Sequence, residues 1–254
     1  MKSPLRDLRF KNLSIATLKK LIPTDATIES YGLFAGVTEI ALAVGGRNIT
    51  AFTNQPVIWE FWDFVSRNPE RLHDLLTHKS FRFYGIGEFM VLQDRLHTFE
   101  GQDMRSALFF LLNRCSSDGR LSAGEFEPSL YNKLSLHYLK AFKKPPSLTI
   151  GSHTTTIEEQ ARQPTGVDYI VMPNLIFSYN LFEEGKNISY DSYSYQHSEL
   201  KEQLRDEKSK IALVYNHHPA LLKFYDEFNI RLIDKYGRPS ANKQDYEEAI
   251  VTNF

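Results

Sequence analysis

The chain has 254 residues, 42% hydrophobic and 13% aromatic, enough to bury a large core in one domain or in one domain carrying an insertion. Thirty Lys and Arg against 31 Asp and Glu leave a formal charge of −1, which argues against a protein that coats nucleic acid by charge alone but leaves room for a local basic patch. The single cysteine, Cys115, rules out an internal disulfide and suits a reducing, cytoplasmic setting.

No run approaches the roughly 18 apolar residues of a membrane span, so no membrane partner is expected. The start, Met1-Lys2-Ser3-Pro4-Leu5-Arg6, lacks the apolar stretch of a signal peptide. Leu13 to Leu21 predicts a short amphipathic helix closed by Pro23. Thr27 to Phe34 predicts a strand entering a glycine turn at Gly36. Glu39 to Val44 predicts a helix ended by Gly45-Gly46, and Asn48 to Phe52 a second strand. Strand, glycine turn, helix and strand within about 30 residues make the βαβ unit of a parallel sheet.

Residues 56–145 change character. Val57, Ile58, Phe61, Phe64 and Val65 recur at helical spacing, as do Leu108, Phe109, Leu111 and Leu112, and later Leu134, Leu136, Tyr138, Leu139 and Phe142. The turn residues Ser116-Ser117-Asp118-Gly119 and Ser122-Ala123-Gly124 are compatible with a hairpin inside this block. Lys143-Lys144-Pro145-Pro146 marks its end. Short β-rich runs then resume at Ser147–Ile150, Tyr169–Met172, Ile211–Tyr215, Ile230–Ile233 and Ile250–Asn253. Helices are predicted between them at His197–Arg205 and Pro219–Glu227. The chain is thus predicted to be one α/β core, residues 1–55 and 146–254, with a mainly helical insertion over 56–145.

The apolar run at Tyr169 to Val171 is predicted to enter a turn, Met172-Pro173-Asn174-Leu175. With Gly32-Leu33-Phe34-Ala35-Gly36 after the first strand, Ala51-Phe52-Thr53-Asn54-Gln55 after the second, and Leu111-Leu112-Asn113-Arg114 followed by Gly119 and Gly124-Glu125-Phe126-Glu127-Pro128, the order resembles the Dam-type DNA adenine-N6 methyltransferases and their phage members. Ala212-Leu213-Val214-Tyr215-Asn216 and the terminal Glu247-Glu248-Ala249-Ile250-Val251-Thr252-Asn253-Phe254 add to the resemblance. It implies a Rossmann-like sheet, mostly parallel with an antiparallel edge, and a helical target-recognition insertion with a hairpin. Ligands of such sheets sit at the carboxyl ends of the strands.

The resemblance also implies where the chemistry should be, and there the residues depart from it. The family's Asp-Pro-Pro-Tyr stands here as Met172, Pro173, Asn174 and Leu175. Taking up amine protons as positive charge develops needs an acidic acceptor, and a thioether is a poor one. Leu175 offers no π face for a flipped base. An S-adenosylmethionine site, if any remained, would draw on Lys11, Phe34, Gly36 and Thr53. Threonine at 53 replaces the carboxylate that would bind ribose, Val37 replaces a second glycine, and Gly32 an acid. No cofactor is therefore expected, and Met172 and Leu175 are expected to fill the vacated space. Asn174, with Phe177 or Tyr179 stacking, is the residue a rearranged loop would use if an active enzyme persisted.

Arg114, Gly119 and Arg120 are the DNA-binding candidates, because the family's hairpin enters DNA. Tyr190, Tyr193 and Tyr195, alternating with serines, suggest a surface for a protein partner. His217-His218 lacks the carboxylate or cysteine pattern of a metal site, so no metal is expected. Cys115 reads as a structural thiol, and His153-Thr154-Thr155-Thr156 as a helix cap ahead of Glu158. Three functions compete: a catalytically inactive homologue acting as a structural or interaction protein, as in a phage assembly; a DNA-binding protein using the hairpin; and a divergent active methyltransferase.

Overall fold

A computed structural model describes residues 2–78, 81, 83, 85–121, 124–152, 166–177, 196–206 and 208–254. The chain folds around one eight-stranded sheet of order β3-β2-β1-β4-β5-β8-β6-β7. The strands are β1 (Thr27–Tyr31), β2 (Asn48–Thr53), β3 (Leu148–Ser152), β4 (Tyr169–Leu175), β5 (Lys210–Asn216), β6 (Asn229–Ile233), β7 (Pro239–Ser240) and β8 (Glu248–Thr252). Strands β1 to β5 pair in parallel, whereas β8 runs antiparallel between β5 and β6. The two-residue β7 pairs antiparallel to β6 at the rim. This is a Rossmann-like sheet, mostly parallel with an antiparallel edge.

Alternation along each strand assigns the two faces. Ile28, Ile49, Ala51, Val171, Ala212, Val214 and Ile250 pack with helices α1 (Ile15–Leu21), α2 (Val37–Val44), α3 (Pro56–Arg67), α6 (Gln102–Cys115) and α7 (Lys133–Lys140). Ile170, Met172, Ile211, Leu213, Tyr215 and Val251 pack the other way, against α8 (His197–Asp206) and α9 (Leu221–Phe224). Helices α4 (Pro69–Thr77) and α5 (Ile86–Arg95) complete the helical block between β2 and β3. Its aromatic centre is Phe61, stacked on Phe109 at 5.1 Å and on Phe110 at 6.4 Å between ring centroids. Proline begins both α3 and α4, where a missing N–H costs nothing.

Three expectations need correction. The run at Tyr169 does not turn at Met172; β4 continues through Pro173 to Leu175. Pairing to β1 ends at Val171, and the register against β5 shifts between Met172 and Leu175, so a residue without an N–H is tolerated there. Strand β1 stops at Tyr31, three residues early, because Gly32 turns the chain with φ 86°. The helix predicted over Pro219–Glu227 shrinks to Leu221–Phe224, since Tyr225 leaves the helix and is buried in the second core. The expected hairpin is seen among the described residues as an antiparallel bridge, Ser116 to Phe126, flanked by Ser117 N–H to Glu125 O at 2.8 Å and Glu127 N–H to Cys115 O at 2.6 Å.

Candidate functional site

The carboxyl ends of β1, β2, β4 and β5 converge where such sheets bind ligands. After β1 the loop is closed on three sides. Leu33 N–H donates to Phe52 O at 2.9 Å, tying it to β2. The Trp62 indole N–H, from α3, donates to Phe34 O at 2.7 Å, and the Ser3 hydroxyl donates to Ala35 O at 2.5 Å. Gly36 sits at φ 64°, and a Cβ built there would lie 2.8 Å from Trp62 Cζ2. The glycine that would admit a ligand's backbone approach instead admits an indole. Phe34 is buried, with its ring 6.3 Å from Phe109 and 5.7 Å from the Arg9 guanidinium.

At the end of β2, Thr53 is fully buried and its hydroxyl accepts from Gln55 N–H at 3.2 Å. The neighbouring Phe52 ring stacks on Tyr31 at 5.3 Å. At the end of β4, Met172 is 1% exposed and Leu175 0%, both in the second core. Pro173 is buried and Asn174 half-buried. Among the described residues the buried Asn174 Oδ1 has no hydrogen-bond partner. Phe177 lies between the rings of His197 at 4.8 Å and His218 at 4.9 Å. It is therefore enclosed rather than presented to a base. Tyr179 lies outside the described residues, as do Tyr190, Tyr193, Tyr195 and the His153–Glu158 stretch.

Sequence reading missed a polar cluster beneath Phe177. His197 Nδ1 lies 3.2 Å from the Tyr215 hydroxyl, which lies 2.8 Å from the Tyr225 hydroxyl. Burial drives the His197 pKa down to about 4, against a hydrogen bond to the Ile176 carbonyl that raises it. Burial likewise lifts the Tyr225 phenol beyond its usual range. The predicted helix His197–Arg205 included this histidine but not its role, because its partners come from β5 and the turn after α9.

An amino-terminal strap, residues 3–14, lies over the same edge. The Asn216 amide donates to Arg9 O at 2.9 Å, and the buried Glu248 carboxylate accepts from Leu13 N–H and Ser14 N–H at 3.1 and 2.8 Å. Lys11 reaches outward to Glu247 at 2.6 Å in an exposed pair. The strap continues to the recognition-like turn. Asn113 accepts from Arg6 N–H at 3.1 Å and donates to Arg6 O at 2.8 Å and Gly119 O at 2.7 Å. Gly119 has φ 90°, and a Cβ there would come within 2.4 Å of Arg6 O. Arg114 donates to Pro4 O, and its guanidinium lies 5.5 Å from the Phe110 ring. Burial lowers its pKa to about 10, with Arg6 adding repulsion. Arg120 pairs with Asp118 at 2.6 Å. All three DNA-binding candidates thus hold the strap or their own turn.

The residues that the resemblance would assign to S-adenosylmethionine do not fit it. A buried threonine already bonded to its own loop offers no ribose carboxylate, and Trp62 and Ser3 take the loop carbonyls. His217 packs on Tyr246 at 4.5 Å, and His218 Nδ1 accepts from Ala220 N–H at 3.1 Å. Among the described residues, no group of three His, Cys, Asp or Glu side chains is placed to hold a metal ion. Cys115 is buried, its thiol pushed up to about 12 by desolvation. Among the described residues no helix is long and apolar enough to cross a membrane. Compared with known proteins, the chain matches no family model and no curated sequence.

Proposed function

We propose that this chain is a catalytically inactive relative of the DNA adenine methyltransferases that works as a structural or interaction protein, of which a phage or virus assembly component is the concrete form. The observation that carries the reading is the filling of the strand tips. Met172 and Leu175, which the resemblance sets at the positions of the acid and the aromatic, are buried in the core. Burial of each contributes about 1.5–3 kcal/mol, so these positions serve stability. Trp62 against Gly36 and the engaged Thr53 support the same reading at the cofactor side. The protein then acts through its surfaces.

One observation favours a second reading, a divergent active enzyme. The buried Oδ1 of Asn174 has no partner among the described residues and stands beside the strand irregularity at Met172. An acceptor in that place is what an exocyclic amine requires. Transfer of tritiated methyl groups from S-adenosylmethionine to adenine in duplex DNA separates the two. The inactive reading expects no incorporation above background. Incorporation that disappears in Asn174→Ala would establish the second reading and end the first.

A further inference from the structure

From Pro128 to Ile157 the chain contains no Asp or Glu, although acids make up 31 of its 254 residues. The described part of this stretch holds Lys133, His137, Lys140, Lys143 and Lys144. Helix α7 and the segment after it therefore carry basic side chains and no carboxylate. On helix α7, Lys133, His137 and Lys140 fall on one stripe, and Lys143 follows three residues beyond its last turn. Lys133, His137, Lys140 and Lys143 are exposed. The opposite side of α7, Ser135 and Leu139, is buried, so the stripe points away from the core. Lys2 joins it from the amino-terminal strap, with Nζ 5.3 Å from the ring centroid of Tyr138 on the same helix.

None of Lys2, Lys133, Lys140 and Lys143 takes part in an ion pair among the described residues, where the pairs are formed by other cations. Helix α4 packs against α7 and carries Glu70 and Asp74, but the Asp74 carboxylate faces His73 at 3.3 Å. Lys144 is used locally, donating to Leu148 O.

We infer that the α7 face, with Lys2, Lys133, His137, Lys140 and Lys143, is a docking surface for the phosphate backbone of a nucleic acid. Lys133 and Lys140 stand about 10 Å apart along the axis at 1.5 Å per residue. That separation suits a linear array with one phosphate per roughly 3.4 Å of axis on each strand. Lysines without arginine give point charges rather than bidentate forks, so the surface reads charge and not base identity. A membrane surface fits less well, because Leu136 is half-buried and Leu139 buried, leaving Leu134 as the one exposed large apolar side chain of the helix. This inference is independent of whether the strand tips retain chemistry.

The test is fluorescence anisotropy with the full chain and labelled duplex DNA, duplex RNA or single strands, from about 50 to 200 mM salt. Binding to at least one of these is expected at the low end, with the probe that binds best identifying the source of the phosphates. The triple variant Lys133→Ala, Lys140→Ala, Lys143→Ala should weaken it at least about tenfold and reduce the slope of log K against log salt by about 2 to 3. A control triple, Lys19→Ala, Lys20→Ala, Lys223→Ala, should stay within about twofold. The proposal is overturned by no binding to any nucleic acid at low salt, by equal losses in the two triples, or by binding that responds to Arg120→Ala and not to the α7 triple. Preference for anionic vesicles or polyglutamate over duplex at matched charge would overturn it too.

Discussion

The indole of Trp62 closes on the backbone of Gly36: its N–H donates to the Phe34 carbonyl at 2.7 Å, and its Cζ2 stands 2.8 Å from where a side chain on Gly36 would begin. Two consequences can be measured. Gly36→Ala meets a left-handed backbone and the indole together, and should cost about 1–2 kcal/mol from the backbone alone, plus the clash. Trp62→Ala should cost about 3–5 kcal/mol through the cavity it leaves and the orphaned carbonyl. Urea unfolding of both variants checks the order. A Gly36→Ala protein as stable as the parent would show that the indole is not held against the loop.

Glu39 is fully buried on α2, with Oε1 3.1 Å from the Ser30 hydroxyl and Oε2 without a partner among the described residues. Desolvation raises its pKa above the ordinary value of 4.5. A raised carboxylate pKa means the folded state holds a proton that the unfolded chain releases. Its share of stability is therefore full below about pH 4.5 and declines by up to about 1.4 kcal/mol per pH unit as pH rises to the folded-state pKa. Glu39→Gln keeps the shape without the charge, so it should be more stable than the parent at pH 8 and gain less at pH 5. Unfolding midpoints at the two pH values check this.

His197 contributes the opposite slope. Its folded-state pKa of about 4 lies below the ordinary 6.5 because burial disfavours the cation. The unfolded chain then binds more protons between those values. Stability is full above about pH 6.5 and falls as pH drops toward 4, by up to about 3 kcal/mol over the window. His197→Gln should flatten that fall relative to the parent even if it lowers overall stability, since the Tyr215–Tyr225 pair loses its ring partner. Thermal melts at pH 4.5 and 7 read the difference.

Asn113 ties the strap to the turn through three hydrogen bonds, two to Arg6 and one to Gly119. Asn113→Leu leaves the Arg6 N–H and two carbonyls unpaired in a buried setting, and should cost about 2–4 kcal/mol. The loss should be local first. Hydrogen exchange at Arg6 and Leu8 should accelerate more than exchange in β5, and a uniform change across the protein would contradict the strap's dependence on this side chain.

The fold was legible where local pattern decides it. The βαβ start, the helical block and the order of the later strands followed from periodicity and turn residues. What was not legible depends on partners distant in sequence. Pro173 looks like a turn until the register shift against β5 is known. Tyr225 looks helical until the Tyr215 hydroxyl claims it. Arg114 and Arg120 look free for DNA, yet Arg114 serves a carbonyl 110 residues away and Arg120 serves Asp118. The burial of Met172 and Leu175 was readable from their chemistry, whereas the plug at Gly36 was not, because nothing local marks Trp62 as its neighbour.

The central claim is that side chains of this protein occupy the space where a sulfonium cofactor and an adenine would sit. Calorimetric titration of S-adenosylmethionine into the full chain tests it most directly. The account predicts no saturable heat up to about 1 mM ligand, an affinity weaker than about −4 kcal/mol. A dissociation constant in the micromolar range would contradict it.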